Sequence, residues 1–79
     1  MKLVEVRANR VFSIRELARL AGVAPGTIYG IEHGEVIPTL STVRKLAETL
    51  EVEPLEVDEF RVAIERTIQG KETAPASVS

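Results

Sequence analysis

Between Ser13 and Gly34 the chain twice spells out a short helix with both a start and a stop, which limits the possible folds more than any other feature. Ser13 offers an oxygen to the first backbone N–H groups, and Glu16, three residues on, completes a capping box. Phe12 and Leu17 stand where a hydrophobic staple would close. Leu17, Ala18, Leu20 and Ala21 form the apolar face, and Gly22 takes the left-handed stop without steric cost. Pro25 then suits the first position of a second helix, where its missing N–H is no loss. That helix is expected to run to about His33, to bury Ile28 and Ile31, and to stop at Gly34. Two helices this short, joined this tightly, have to cross at close range and pack against something larger.

Helical spacing continues on both sides. Leu3, Val6, Arg7 and Arg10 suggest a short leading helix; the alternation Leu3, Glu5, Arg7 also fits a strand, and helix is the preferred reading. After a loop from Glu35 to Pro38, Thr39 caps a helix whose apolar face is Leu40, Val43, Leu46, Ala47 and Leu50. A last helix is expected from near Pro54, carrying Leu55, Val57, Phe60, Ile64 and Ile68. The expected fold is all-α, a five-helix bundle over residues 1–69, with residues 70–79 a flexible tail that has almost nothing to bury.

Composition narrows the function. A chain of 79 residues holds one domain with a modest core and no large catalytic cleft. No enzyme activity is expected, because no His, Asp and Glu cluster with reactive spacing occurs. Without cysteine there is no thiolate metal site, and His33 is the lone histidine, so neither metal nor cofactor is expected. No apolar run approaches the roughly 20 residues that span a bilayer, and the expected setting is soluble and cytoplasmic. The net charge of −2 is unevenly spread: residues 1–52 carry +1 and residues 53–79 carry −3, so the acidic excess lies towards the C-terminal end.

A helix-turn-helix requires a small residue where the helices cross, a glycine in the turn and apolar contacts behind the second helix. Ala18, Gly22, Val23, Ile28 and Ile31 occupy those places, although an ordinary helical hairpin would use similar residues. FSIRELARLAGV, TIYGIEHGE, PTLSTVRKLAETLEV and LEVDEF, together with Arg7, resemble the Cro/cI-like (XRE) family of helix-turn-helix regulators over about residues 3–61. The first half also suits a MerR-type winged helix; IEHGEVIPTLSTVRKLAETLEV resembles the loop and fourth helix of the Cro/cI family and not a wing.

That resemblance implies a lambda-repressor-like five-helix domain that binds double-stranded DNA with its third helix in the major groove. Base-reading positions would be Pro25, Gly26, Thr27, Tyr29 and Gly30. Tyr29 either bonds a base or phosphate or packs partly on the helix surface. The set is poor in Arg, Asn and Gln, so DNA shape is expected to contribute to specificity. Phosphate contacts would come from Arg10, Arg15, His33, Thr39, Thr42, Arg44 and Lys45, while Ile14 stands where relatives commonly carry Gln, and Ala24 where a capping Ser is common. Arg19 and Lys2 are read as solvated. Arg7 is expected to hold Glu32 in a structural pair.

Two functions fit: a transcriptional regulator, expected to repress, or an antitoxin-like module that binds a partner protein and regulates itself through DNA. Val57, Phe60, Ile64 and Ile68 recur at spacings of 3, 4 and 4 residues, a stripe that something must cover. Part of it, Phe60 above all, suits closing the bundle. Phe60, Ile64 and Ile68 are also the candidates for a homodimer contact.

Overall fold

The computed structural model describes residues 1–73, with side chains described through Gln69. Its helices are α1 (Leu3–Asn9), α2 (Ile14–Ala21), α3 (Pro25–Glu32), α4 (Leu40–Leu50) and α5 (Asp58–Thr73), with a short 3-10 turn at Pro54–Glu56 before α5. No strand occurs among the described residues, and the ambiguous start of the chain is helical. Helix α2 packs on both α3 and α4, α5 closes over α4, and α1 lies against α3. Leu3, Leu17, Ile28, Ile31, Leu46, Leu50, Val57 and Phe60 form the fully buried centre, so every helix contributes to one core.

The starts of α1 and α5 are built together. The Leu3 N–H, one of the unpaired donors at the head of α1, is capped by the Glu59 carboxylate at 2.8 Å, while the Asp58 N–H donates to the Met1 carbonyl at 2.7 Å. Within α2 the capping box is complete: the Glu16 N–H donates to Ser13 Oγ at 3.0 Å, and the Ser13 N–H donates to the Glu16 carboxylate at 3.0 Å. Phe12 packs against the core that contains Leu17.

Left-handed residues stop the first four helices: Val11 (φ 59°), Gly22 (75°), Gly34 (73°) and Glu51 (58°). At Val11 the motif is complete, with the Phe12 N–H reaching the Arg7 carbonyl and the Val11 N–H reaching that of Ala8. Only two of these four residues are glycine, so the other two stops carry no sequence signal. At the α4 stop, Arg10 Nε donates to the Leu50 carbonyl at 3.1 Å and its Nη2 pairs with Glu51 at 2.9 Å, which places a cation at the negative end of the helix.

The structure corrects several apolar assignments. Leu20 is 50% exposed, because Leu17, Ala18 and Ala21 already define the buried face and Leu20 lies about 110° from its centre at 100° per residue. Leu40, the first residue of α4, sits at the edge of its face and is exposed, as is Leu55 in the 3-10 turn. The last α-helix begins at Asp58 rather than near Pro54, so Val57 is buried from an extended connector. Phe60 has no exposed surface: it closes the bundle and is not available to a second chain. Helix α5 extends four residues into the segment 70–79 read as a tail. Lys71 and Glu72 favour helix, and propagation of a helix already formed adds a hydrogen bond per residue. The rest of that segment, 74–79, lies outside the described residues.

Val11 is the costly stop. A β-branched side chain in the left-handed region is strained by about 1–2 kcal/mol, and with 84% of its surface exposed it gains little from packing. Val11→Gly is therefore expected to stabilise the domain by roughly 1 kcal/mol or less, after glycine's added unfolded-state entropy, and to raise the melting temperature by a few degrees. A thermal melt that shows a lowered midpoint would mean that Val11 makes a compensating contact.

Candidate nucleic-acid interface

The crossing of α2 and α3 is made close by small residues. Ala18 and Ala21 are buried beside Ile28 and Ile31, and the turn Gly22–Val23–Ala24 is pinned by the Gly22 and Val23 N–H groups, which donate to the Ala18 carbonyl at 2.9 and 3.0 Å. With Ile28 and Ile31 committed inward, α3 turns Pro25, Gly26 and Tyr29 to solvent and leaves Thr27 half-buried. A Cβ placed on Gly26 would meet nothing within 4 Å. The fold therefore does not require glycine there, and the bare backbone leaves room for another molecule.

Gly30 does not belong with these residues. It is buried, and a Cβ built on it would stand 2.6 Å from Val36 Cγ2. Its carbonyl accepts from the Glu35 and Val36 N–H groups at 2.8 and 3.1 Å. Gly30 thus seats the loop after α3 rather than facing outward, and the sequence missed Val36 as its partner because no local pattern links a helix residue to a loop valine.

Tyr29 and His33, one turn apart, stack with ring centroids 3.9 Å apart and planes at 21°. His33 Nδ1 lies 2.9 Å from the Tyr29 carbonyl, and because a carbonyl only accepts, Nδ1 carries the hydrogen and Nε2 is left for an outside partner. One face of the Tyr29 ring is thereby covered and its position restrained, yet 49% of the residue remains exposed.

At the start of α4, Thr39 Oγ1 accepts from the Thr42 N–H at 3.2 Å and donates to Thr42 Oγ1 at 3.2 Å. The Thr42 hydroxyl hydrogen is left free to donate elsewhere. Arg15, Arg44 and Lys45 are exposed and make no ion pair among the described residues. Arg10 departs from expectation: it is occupied by Leu50 and Glu51 at the far end of α4, about 16 Å along that helix from Thr39, so it leaves the set of phosphate contacts. Among the described residues, no three His, Asp or Glu side chains gather as a metal-ligand group, and no helix is long and apolar enough to cross a membrane.

The end of α3 is fixed by Arg7. Its Nε and Nη2 donate to the two Glu32 oxygens at 2.6 and 3.0 Å, and Nη1 donates to the Phe12 carbonyl at 3.0 Å. Glu32 keeps only 4% of its side-chain surface exposed and Arg7 17%. The hydrogen bond to Glu32 raises the Arg7 guanidinium above its ordinary range against the effect of burial, with Coulomb attraction adding to it. Because the shift is upward, this contribution is complete below the ordinary guanidinium range and is lost only at higher pH, so Arg7 adds no pH dependence near neutrality. Arg7→Met strands a buried carboxylate and is expected to cost about 3–5 kcal/mol in urea unfolding, whereas Arg7→Met with Glu32→Met is expected to cost less than that single change. A loss below about 1 kcal/mol for Arg7→Met would refute the locking role.

A sequence model of the helix-turn-helix family matches residues 3–57, from the first residue of α1 to the connector before α5. No curated protein and no solved structure matches the chain significantly. The matched segment contains the crossing, the turn and the Arg7–Glu32 lock, and the family is one of DNA-binding transcription regulators. The chain belongs to the XRE-type helix-turn-helix family.

Proposed function

We propose that the protein binds duplex DNA sequence-selectively and acts as a repressor by occupying its site, with α3 in the major groove. The observation that supports this best is the division of α3: Ile28 and Ile31 are wholly inside, while Pro25, Gly26 and Tyr29 are exposed, with no element over them among the described residues. Thr27 offers a hydroxyl and a methyl to base edges, and Tyr29, steadied by His33, offers a hydroxyl to a base or a phosphate. Arg15, Arg44 and Lys45, which make no ion pair among the described residues, supply charge, and Thr39, Thr42 and His33 supply polar atoms. Gly30 and Arg10 take no part in this reading.

Phosphate contacts release counterions, so affinity should drop about 10³-fold between 50 and 200 mM salt if about six phosphates are neutralised. Thr27→Ala or Tyr29→Ala is expected to change base preference by about 1–3 kcal/mol at single positions. Arg44→Ala or Lys45→Ala should instead weaken all duplexes alike and flatten the salt slope by about one phosphate. Fluorescence anisotropy on a duplex panel separates the two classes; unchanged preference in the Thr27 and Tyr29 variants would remove α3 as the reader.

We further propose that two copies bind together. With Phe60 inside, the exposed remainder of the α5 stripe is Ile68, 52% exposed, and the half-buried Ile64. Pairing of these residues across a two-fold axis would set two recognition helices roughly 34 Å apart, matching half-sites one turn apart. Ile68→Glu, alone or with Ile64→Glu, is expected to give a folded monomer with much weaker DNA binding. Sedimentation equilibrium decides the matter, and a wild-type chain that is monomeric at micromolar concentration and on DNA would exclude this interface.

A further inference from the structure

Between α4, the connector and α5 runs an open groove of about 640 Å³. Its floor is apolar: Leu40, Val43 and Ala47 from α4, Val52 and Pro54 from the connector, and Ile64 from α5. From Leu40 to Glu51 it follows α4 for about 16 Å, the length of three helical turns. This suits a helix laid in a trough better than a compact small molecule. Charge is confined to the rim and is one-sided. Among the described residues Arg44 is the one cation of the lining, against the carboxylates of Glu48, Glu51, Glu53 and Glu56. Arg10 neutralises Glu51, whereas Glu48, Glu53 and Glu56 are exposed and form no ion pair among the described residues.

We infer that this groove is a docking site for a short amphipathic helix of another protein, with an apolar stripe flanked by Lys or Arg. The charge pattern argues for that occupant, since Glu48, Glu53 and Glu56 have no ion-pair partner among the described residues and are complemented by cations brought from outside. Apolar side chains of the partner fill the floor over Val43, Ala47 and Val52, and its cations reach Glu48, Glu53 and Glu56. The acidic end lies about 14–18 Å along α4 from Thr39, while Arg44, which the DNA reading also uses, lines the groove nearer to Thr39. Only Ile64 is shared with the proposed dimer face. The inference does not depend on DNA binding, and its test contains no DNA.

The probe is a 14-residue amphipathic Leu/Lys peptide, compared with a scrambled peptide of the same composition and with a Leu/Glu peptide of the same pattern. The full chain and its Ile68→Glu variant are followed by methyl NMR, the second so that dimerisation does not mask the groove. The expected result is saturable shifts of the Val43, Ala47, Val52 and Ile64 methyls in the Ile68→Glu variant, with affinity at least tenfold above that of either control peptide. Replacing Glu48, Glu53 and Glu56 together by Gln, all exposed and outside the core, is expected to lower that affinity at least tenfold while leaving the melting temperature nearly unchanged. Equal binding of the scrambled peptide, shifts away from the groove, or indifference to the triple change would overturn the inference. Shifts at Val43 and Val52 that follow the wild-type concentration without peptide would overturn it as well, because a second copy would then be the occupant.

Discussion

A carboxylate with almost no exposed surface has to be paired, and the pairing of Glu32 with Arg7 decides where α3 sits. The bidentate geometry fixes direction as well as distance, and the third guanidinium nitrogen, on the Phe12 carbonyl, ties the same side chain to the turn that leads into α2. One residue of α1 therefore references both halves of the helix-turn-helix. Desolvation offsets much of what such a pair gains, so its value lies in position rather than in net stability. A helix of eight residues has too few hydrogen bonds to hold itself, and α3 holds its place because Ile28, Ile31 and Glu32 are each committed inward. What remains outward is fixed by subtraction.

The same economy runs through the helix ends. With loops of only a few residues, each helix has to reverse at once, and a single left-handed residue does this at Val11, Gly22, Gly34 and Glu51. At Val11 and Glu51 the conformation is imposed by the surroundings: Phe12 is held by the core and by Arg7, and Glu51 by Arg10. The sequence shows Gly22 and Gly34 as stops but not Val11 or Glu51, since nothing in a valine or a glutamate announces a positive φ. Local chemistry marked the caps and the crossing, including Ser13, Glu16, Ala18 and Thr39. The capping signals sit within three residues of what they act on.

Where sequence reasoning went astray, the deciding partner was distant. Gly30 looks like an outward glycine on a helical projection and is covered by Val36 from the following loop. Arg10 looks like a free cation near the helix-turn-helix and is spent on the end of α4, 40 residues away. Phe60 suited both closing the bundle and a dimer contact, and the structure leaves only the first: Val57, Phe60 and Ala63 are buried together, while Ile68, two turns further along α5, is exposed. Arg7 and Glu32 came from family resemblance rather than from spacing, and the structure confirms the pair by geometry.

The charge distribution follows the proposed division of labour. Arg15 on α2 and Arg44 and Lys45 in the middle of α4 make no ion pair among the described residues, while unpaired carboxylates gather towards the end of α4 and in the connector. A net negative chain can thus offer a cationic surface to DNA. The central claim, that α3 reads duplex DNA, is tested most directly by selecting bound duplexes from a random pool with the wild-type chain and with Thr27→Ala. The account predicts a defined motif for the wild type and an altered preference at one or two positions of that motif for the variant. No enrichment over the starting pool, or an identical motif for both proteins, would contradict it.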